Sequence, residues 1–292
     1  MGKTAVAVSL ARATGGEIIS FDSRQVFRGV EVCSNAPTPA ELQGVKAHLV
    51  SVLAPSSEIT AAGYVELARS AASAVSAAER QILTAGTGMY LKAYLDNLDL
   101  GGMGAVPGLR QQLEAEAATD LPGLARRLQD LSPGLAATTD LRNPVRVVRR
   151  MELLWAAALA QDDRDTNAGR DRPRTDAIKI GLRAPAAVLE RWIAERIDRM
   201  LEAGWRDEVE ALLAQQPGPS PQVLRSIGVA EMAAHLRGEV DRRTMVQRVH
   251  VRTRQYAKRQ RTWFRADPEV TWIDAGNKAT SDIVETILEM LN

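Results

Sequence analysis

The 292-residue chain reads as an α/β protein: a parallel sheet of the phosphate-loop (P-loop) type flanked by helices, with a helical insertion domain and a helical C-terminal part. Three observations predict this. Gly2-Lys3-Thr4 runs straight into an apolar, helix-periodic stretch at 5–12, as the second half of a phosphate-binding loop does where backbone N–H groups open a helix. Short apolar runs then alternate with helical ones, the βαβ rhythm of a parallel sheet. From Pro107 to about residue 161 the periodicity is helical, with no strand signal. A complete phosphate loop has a leading glycine and a feeding strand ahead of Gly2, so the sheet is expected without its first strand.

In chain order, 3–13 reads as a helix stopped by Gly15-Gly16, and 17–21 (Glu-Ile-Ile-Ser-Phe) as a short buried strand ending at Asp22. After a loop with Pro37 and Pro39, 48–53 reads as a second strand and 61–79 as an Ala-rich helix. A third strand, 81–85, breaks at Gly86-Thr87-Gly88 into a helix from Met89. Gly101-Gly102-Met103-Gly104 reads as a hinge. Asn143-Pro144 opens a helix with Asn as N-cap, Val148, Met151, Leu154, Trp155 and Ala158 on its apolar face, and Arg142, Arg146 and Arg149 on one cationic face. Residues 162–174 read as a mobile polar loop. A strand at 177–182 is expected to re-enter the sheet, followed by a long amphipathic helical stretch at 188–213. Helices at 229–236 and from 242, a strand at 270–273 and a closing helix at 281–291 complete the chain. Residues 1–105 and 171–292 are thus expected to form two parts of one catalytic core, and 106–170 the insertion.

Composition narrows the class. With 45% hydrophobic residues a sizeable core is available, and 4% aromatic content favours helix over sheet. No apolar run reaches the ~18 residues of a membrane span, and no signal-peptide layout opens the chain, so a cytoplasmic location away from membranes is expected. One cysteine, Cys33, excludes an internal disulfide and reads as a small core residue. Three scattered histidines give no zinc pattern. The net charge of +1 is uninformative, but residues 242–265 hold nine Lys/Arg and no Asp or Glu.

Ligands of parallel sheets sit beyond the carboxyl ends of the strands, which is where Asp22 and Thr87 fall, beside Lys3 and Thr4. Alone, Asp22 is a turn residue; facing a phosphate cradle, it can act as general base or metal-shell ligand. Thr87 between two glycines lets the backbone approach a ligand closely. Lys3 offers a point charge to phosphates, and the Thr4 hydroxyl an oxygen to Mg²⁺. Arg254, Lys258, Arg261 and Arg265 recur at helical spacing as a stripe, opposite an apolar face of Met245, Val249, Tyr256 and Trp263. With no acid in the same segment to neutralise it, the stripe points to a polyanion. Trp263 and Phe264 serve either base stacking or core packing.

These segments, together with the run 16–29 (Gly-Glu-Ile-Ile-Ser-Phe-Asp-Ser-Arg-Gln-Val-Phe-Arg-Gly), 85–91, 142–149, 196–200, Ser226-Ile227-Gly228 and 253–265 (Thr-Arg-Gln-Tyr-Ala-Lys-Arg-Gln-Arg-Thr-Trp-Phe-Arg), resemble the bacterial tRNA dimethylallyltransferases over nearly the whole chain. The resemblance implies transfer of a dimethylallyl group from dimethylallyl diphosphate to N6 of adenine 37 in the tRNA anticodon stem-loop, by a monomer using Mg²⁺. It implies Asp22 as catalytic base, Thr87 near the leaving oxygen, Arg196 near the diphosphate, and Gly2, Lys3 and Thr4 as the diphosphate grip, Thr4 touching the metal. For tRNA it implies Ser23, Arg24, Gln25, Arg110, Arg146, Arg149 and Arg225, alongside the stripe of Arg254, Lys258 and Arg261. The target adenine must leave its stack, so a grip on the anticodon loop from two sides is expected. Two places depart from the family pattern: Val229-Ala230 stands for an aromatic and a polar residue, and Trp192 for an arginine. A small-molecule kinase, an adenylate isopentenyltransferase and a catalytically impaired tRNA-binding homologue are the competing readings.

Overall fold

A computed structural model describes residues 2–76, 79–98, 108–159 and 175–291. The chain forms two compact units, one from Met1–Leu98 with Arg174–Asn292 and the other from Asp99–Pro173.

The first unit begins with α1 (Lys3–Thr14), β1 (Glu17–Phe21), two one-turn helices α2 (Glu31–Ser34) and α3 (Pro39–Leu42), β2 (Ala47–His48), α4 (Ala61–Ala74), β3 (Gln81–Ala85) and α5 (Gly88–Leu95). The second unit contributes α6 (Leu109–Leu131), α7 (Pro133–Ala137) and α8 (Pro144–Leu159). The first unit resumes with β4 (Lys179–Arg183), α9 (Ala186–Glu202), α10 (Trp205–Leu213), α11 (Pro221–Leu224), α12 (Val229–Leu236), α13 (Arg242–Arg265), β5 (Val270–Asp274) and α14 (Thr280–Leu291).

β1 is the middle strand of a three-stranded parallel sheet, order β2-β1-β3, with Phe21 opposite Ala85 at the carboxyl end. Its burial on both faces explains the unbroken apolar run Ile18–Ile19. Beneath that end lies an aromatic cluster: Phe21 and Tyr94 stand 5.2 Å apart between ring centroids, Tyr64 and Tyr90 4.7 Å. Tilted rings at such separations add about 0.5–1.5 kcal/mol per pair beyond their buried area and make a rigid floor for what stands on the strand ends.

Several expectations change, beginning with the helix expected at 61–79, which ends at Ala74 where Val75 turns extended. The second strand shrinks to Ala47–His48, because Leu49 and Ser51 take φ of 62° and 51°, which turn the chain out of the sheet; only an isolated bridge, Phe27 to Leu53, follows. The stretch 188–213 is two helices, broken at Gly204, whose φ of 82° a side chain resists. The strand after the insertion, β4, does not join the sheet. It pairs in parallel with β5 in a separate two-stranded ladder. That ladder is tied to the core through side chains instead: Ile180, Leu182 and Ile273 pack with Val6 and Leu10 of α1 and Ile283, Val284 and Ile287 of α14. The hinge expected at 101–104 and the mobile loop expected at 162–174 lie outside the described residues.

The second unit has its own core of Leu113, Leu124, Leu128, Val147, Val148 and Met151. α6 is kinked at Asp120, whose carboxylate accepts from Gly123 N at 2.8 Å and so caps the helix's second half, with Pro122 in the first turn. Asn143 caps α8, its Oδ1 accepting from Arg146 N at 3.3 Å. Trp155, placed on the apolar face of α8 by its spacing, is 47% exposed, since the core is closed by Val147, Val148 and Met151 one to two turns earlier.

Candidate active site

The carboxyl ends of β1 and β3 carry Asp22 and Gly86-Thr87-Gly88, and α1 brings Lys3 to the same place. Lys3 Nζ donates to Ala85 O at 3.0 Å. Gly2, with φ of 62°, is the N-cap of α1 and offers no side-chain cap, so among the described residues the helix opens with uncapped N–H groups beside the lysine. The Lys3 ammonium is pulled below its usual range chiefly by burial; Asp22 works against this and Arg196 adds to it. Arg196, on α9, is likewise lowered by burial and feels the Asp22 charge, while its Nη2 donates to Cys33 O at 3.0 Å. Two cations and one carboxylate thus share a partly desolvated space at the strand ends, where charge–charge interactions are stronger than in water.

Asp22 is held at three atoms. Its Oδ1 accepts from the backbone N–H groups of Arg24 (2.9 Å) and Gln25 (3.4 Å), its N–H donates to Tyr64 Oη (3.2 Å), and its carbonyl accepts from that hydroxyl at 3.3 Å. Tyr64, fully buried, directs that same single proton mainly to Ser20 O, at 2.7 Å. Oδ2 makes none of these bonds and points at Gly86: a Cβ there would lie 2.1 Å from it. Thr87 Oγ1 accepts from Ser23 N at 3.2 Å and lies 3.2 Å from Ser23 Oγ. The backbone N–H groups of Gly86 and Thr87 both donate to Phe21 O, at 3.0 and 2.9 Å. A carboxylate oxygen, a threonine hydroxyl, a lysine and an arginine thereby converge, which equips the place to bind a diphosphate and accept a proton.

The model of the family described as IPP transferase matches residues 25–267. The chain belongs to the IPP transferase family. Among curated relatives, the tRNA dimethylallyltransferase of Syntrophobacter fumaroxidans is 38% identical over 281 residues, covering 95% of this chain and 81% of that protein. The one from Symbiobacterium thermophilum is 36% identical over 99% of this chain and 92% of its own length. Of solved structures, the full-length tRNA isopentenylpyrophosphate transferase of Bacillus halodurans superposes with a TM-score of 0.72 at 30% identity, covering 99% of this chain and 91% of that one. A eukaryotic dimethylallyltransferase acting on tRNA shares the fold, with a TM-score of 0.82 at 23% identity over 99% of this chain and 76% of that one.

The cationic side chains singled out by the sequence are distributed unevenly in the structure. Lys258 and Arg261 on α13 are exposed and have no ion-pair partner among the described residues. Arg254 does have one: Glu190 of α9 stands 3.7 Å from it and 3.2 Å from His250. The stripe is therefore not wholly free of acid, because the neutralising residue comes from another helix. Arg110 and Arg149 approach the mostly buried Glu152 at 3.7 and 3.4 Å, and Arg110 also pairs with Glu114 at 3.0 Å. Arg146 is exposed on the same helix as Arg149.

Nearer the strand ends, Arg24 donates to Gln222 O, and Gln222 is pinned to both backbone polar groups of Ile59, at 2.9 and 3.2 Å. Gln25 is engaged inside the protein, accepting from Ser20 Oγ at 3.1 Å and donating to Asn35 O at 2.8 Å. Arg225 folds back on its own helix, Nε to Pro221 O at 3.0 Å.

Several residues that shape the site carried no sequence signal. Glu231 is buried; it accepts from Gly228 N at 2.8 Å and pairs with Arg252, which also donates to Arg225 O at 3.0 Å. Glu208 accepts from the N–H groups of Val32 (2.7 Å) and Cys33 (2.9 Å), fixing the carbonyl that Arg196 uses. Cys33 is buried, its thiol pushed well up by burial and by Glu208, in keeping with a core role. Val229, a departure from the family pattern, is fully buried at the start of α12.

Proposed function

We propose that Asp22, Thr87, Lys3 and Arg196 form the centre at which this IPP transferase moves a dimethylallyl group from dimethylallyl diphosphate to N6 of adenine 37 in tRNA. The observation that carries this reading is the Oδ2 of Asp22, which has no hydrogen-bond partner among the described residues, at a turn that also holds Thr87, with two partly desolvated cations within its electrostatic reach.

The adenine N6 lone pair is conjugated into the ring and is a poor nucleophile. As it bonds to the allylic carbon, the carbon–oxygen bond to diphosphate breaks and the amine must lose a proton, which Asp22 Oδ2 accepts. Negative charge grows on the leaving oxygens, where Lys3, Arg196, the N–H groups opening α1 and the Thr87 hydroxyl stabilise it. For Mg²⁺ the chain offers hard oxygen donors only: the Thr4 hydroxyl, with no hydrogen-bond partner among the described residues, and the Asp22 carboxylate. No cluster of three or more His, Cys, Asp or Glu stands ready for a metal among those residues. Such hard oxygen donors fit Mg²⁺, and Thr4, through its hydroxyl, would be the residue that holds it. When bound, the ion neutralises charge on the leaving diphosphate.

For RNA, the exposed Lys258 and Arg261 supply phosphate contacts, with Arg254 in a lesser share because Glu190 already holds it. Ser23, Arg24 and Gln25 act through the backbone turn they build around Asp22, and Arg146 with Arg149 presents a second cationic face. No helix among the described residues is long and apolar enough to cross a membrane. A monomeric cytoplasmic enzyme is the working assignment. The test is acceptor choice: with labelled dimethylallyl diphosphate and Mg²⁺, label is expected on unmodified tRNA and not on AMP. Label on AMP alone overturns the reading in favour of an adenylate isopentenyltransferase.

A further inference from the structure

The carbonyl of Gly86 accepts two hydrogen bonds from one distant helix. Tyr256 Oη donates at 2.8 Å and Gln260 Nε2 at 2.6 Å, both from α13, one turn apart on one face. A carbonyl oxygen has two lone pairs, so this one is saturated. The other polar group of the same peptide unit, Thr87 N–H, donates to Phe21 O at 2.9 Å. Both ends of the Gly86–Thr87 peptide are therefore pinned, one by the residue before Asp22 and one by α13. Gly86 leaves no slack, since the space where its side chain would stand is taken by Asp22 Oδ2 at 2.1 Å and bordered by Tyr256 Oη at 3.4 Å. The second glycine of the turn is clamped similarly: a Cβ on Gly88 would lie 2.2 Å from the Trp263 indole, again from α13.

We propose that Tyr256 and Gln260 are positioning residues for the transfer, setting through the Gly86 carbonyl the distance between the Thr87 hydroxyl and the Asp22 carboxylate. This rests on the role assigned above to Asp22 and Thr87. Neither side chain touches the substrate's reacting atoms in this account, although Tyr256 also hydrogen-bonds the Thr87 side chain directly and so reaches that hydroxyl by a second route. What they contribute is placement, and near the chemistry a displacement of about 1 Å costs on the order of a hundredfold in rate. Burial and the Asp22 charge push the Tyr256 phenol up to about 12, so it remains a donor across the working pH range. The helix that presents Lys258 and Arg261 outward thus holds the catalytic turn with its inner face.

The test uses the full chain with dimethylallyl diphosphate and unmodified tRNA, comparing Tyr256→Phe, Gln260→Met and the double variant, each also combined with Thr87→Ala. Each single change leaves the carbonyl one donor, and kcat is expected to fall about fivefold. With both donors gone the peptide can rotate, and kcat should fall about a hundredfold, with KM for both substrates within about twofold of wild type. In the Thr87→Ala background the double change should cost less than about threefold, because its effect runs through Thr87. A double variant with wild-type kcat, or a raised KM for tRNA at unchanged kcat, overturns the proposal. So does a hundredfold loss that persists undiminished on top of Thr87→Ala. If Thr87→Ala itself keeps wild-type kcat, the assignment of Thr87 fails instead, and the two failures are told apart.

Discussion

Substitution of Gly86 by alanine offers a sharp structural probe of Asp22. An added Cβ would stand 2.1 Å from Asp22 Oδ2 and 3.0 Å from its Cγ, where ordinary contact begins near 3.4 Å. The carboxylate must therefore retreat by about 1.3 Å. Asp22 cannot swing aside without loss, because its Oδ1 is held by the N–H groups of Arg24 and Gln25 and its backbone by Tyr64. Gly86 does not have positive φ, so alanine brings no backbone strain of its own. The overpacking should cost about 1–2 kcal/mol of stability, leaving the protein folded. Displacing the proton acceptor by more than 1 Å should lower kcat about a hundredfold. Steady-state transfer to tRNA, with melting and tRNA binding measured alongside, checks this. A folded Gly86→Ala protein with kcat within about threefold of wild type would refute the assignment of Oδ2 to proton transfer.

Other predictions concern charge. Since burial lowers the Lys3 pKa, kcat/KM for the diphosphate donor should decline as pH rises through a range below 10.5, and Lys3→Arg should remove that decline; a pH–rate profile decides. Lys258→Gln with Arg261→Gln should flatten the slope of log Kd for tRNA against log salt by about 1–2, and Arg254→Gln alone by less, measured by titration at several salt concentrations. Glu231→Ala removes a buried carboxylate that caps α12 and pairs with Arg252, and should destabilise the first unit by about 2–3 kcal/mol in denaturant unfolding.

Much of this was legible in the chain because local rules and global fold agree there. The Asn143 cap, the limits of α12 and the whole of α13 follow from capping residues and periodicity, which act over a few residues. A strand was legible at 177–182, where Lys179–Arg183 forms one, but strand partnership was not: pairing with β5 is a contact across some ninety residues that no window of sequence encodes. The run at 48–53 failed for a different reason, since apolar alternation cannot announce that Leu49 and Ser51 will take positive φ.

At the site, Asp22 and Thr87 were visible because strand ends and glycine turns are local signals. The residues that fix them were invisible for the opposite reason. Tyr64, Tyr256 and Gln260 act through backbone groups 42 to 174 positions away. Glu190 illustrates the converse error, as the acid that neutralises Arg254 sits on another helix and so escaped a count made along one. Gly86 is the bridge between these levels: a turn glycine by sequence, it is required by its contact with a carboxylate.

The most direct measurement is single-turnover transfer of labelled dimethylallyl from its diphosphate to unmodified tRNA, wild type against Asp22→Asn, with tRNA affinity measured on the same samples. Asparagine keeps the shape and the Oδ1 contacts but cannot take the proton. Transfer to adenine 37 by the wild type, a rate at least about a thousandfold lower in Asp22→Asn, and equal tRNA affinity are expected. An Asp22→Asn protein that transfers at a wild-type rate would contradict the account.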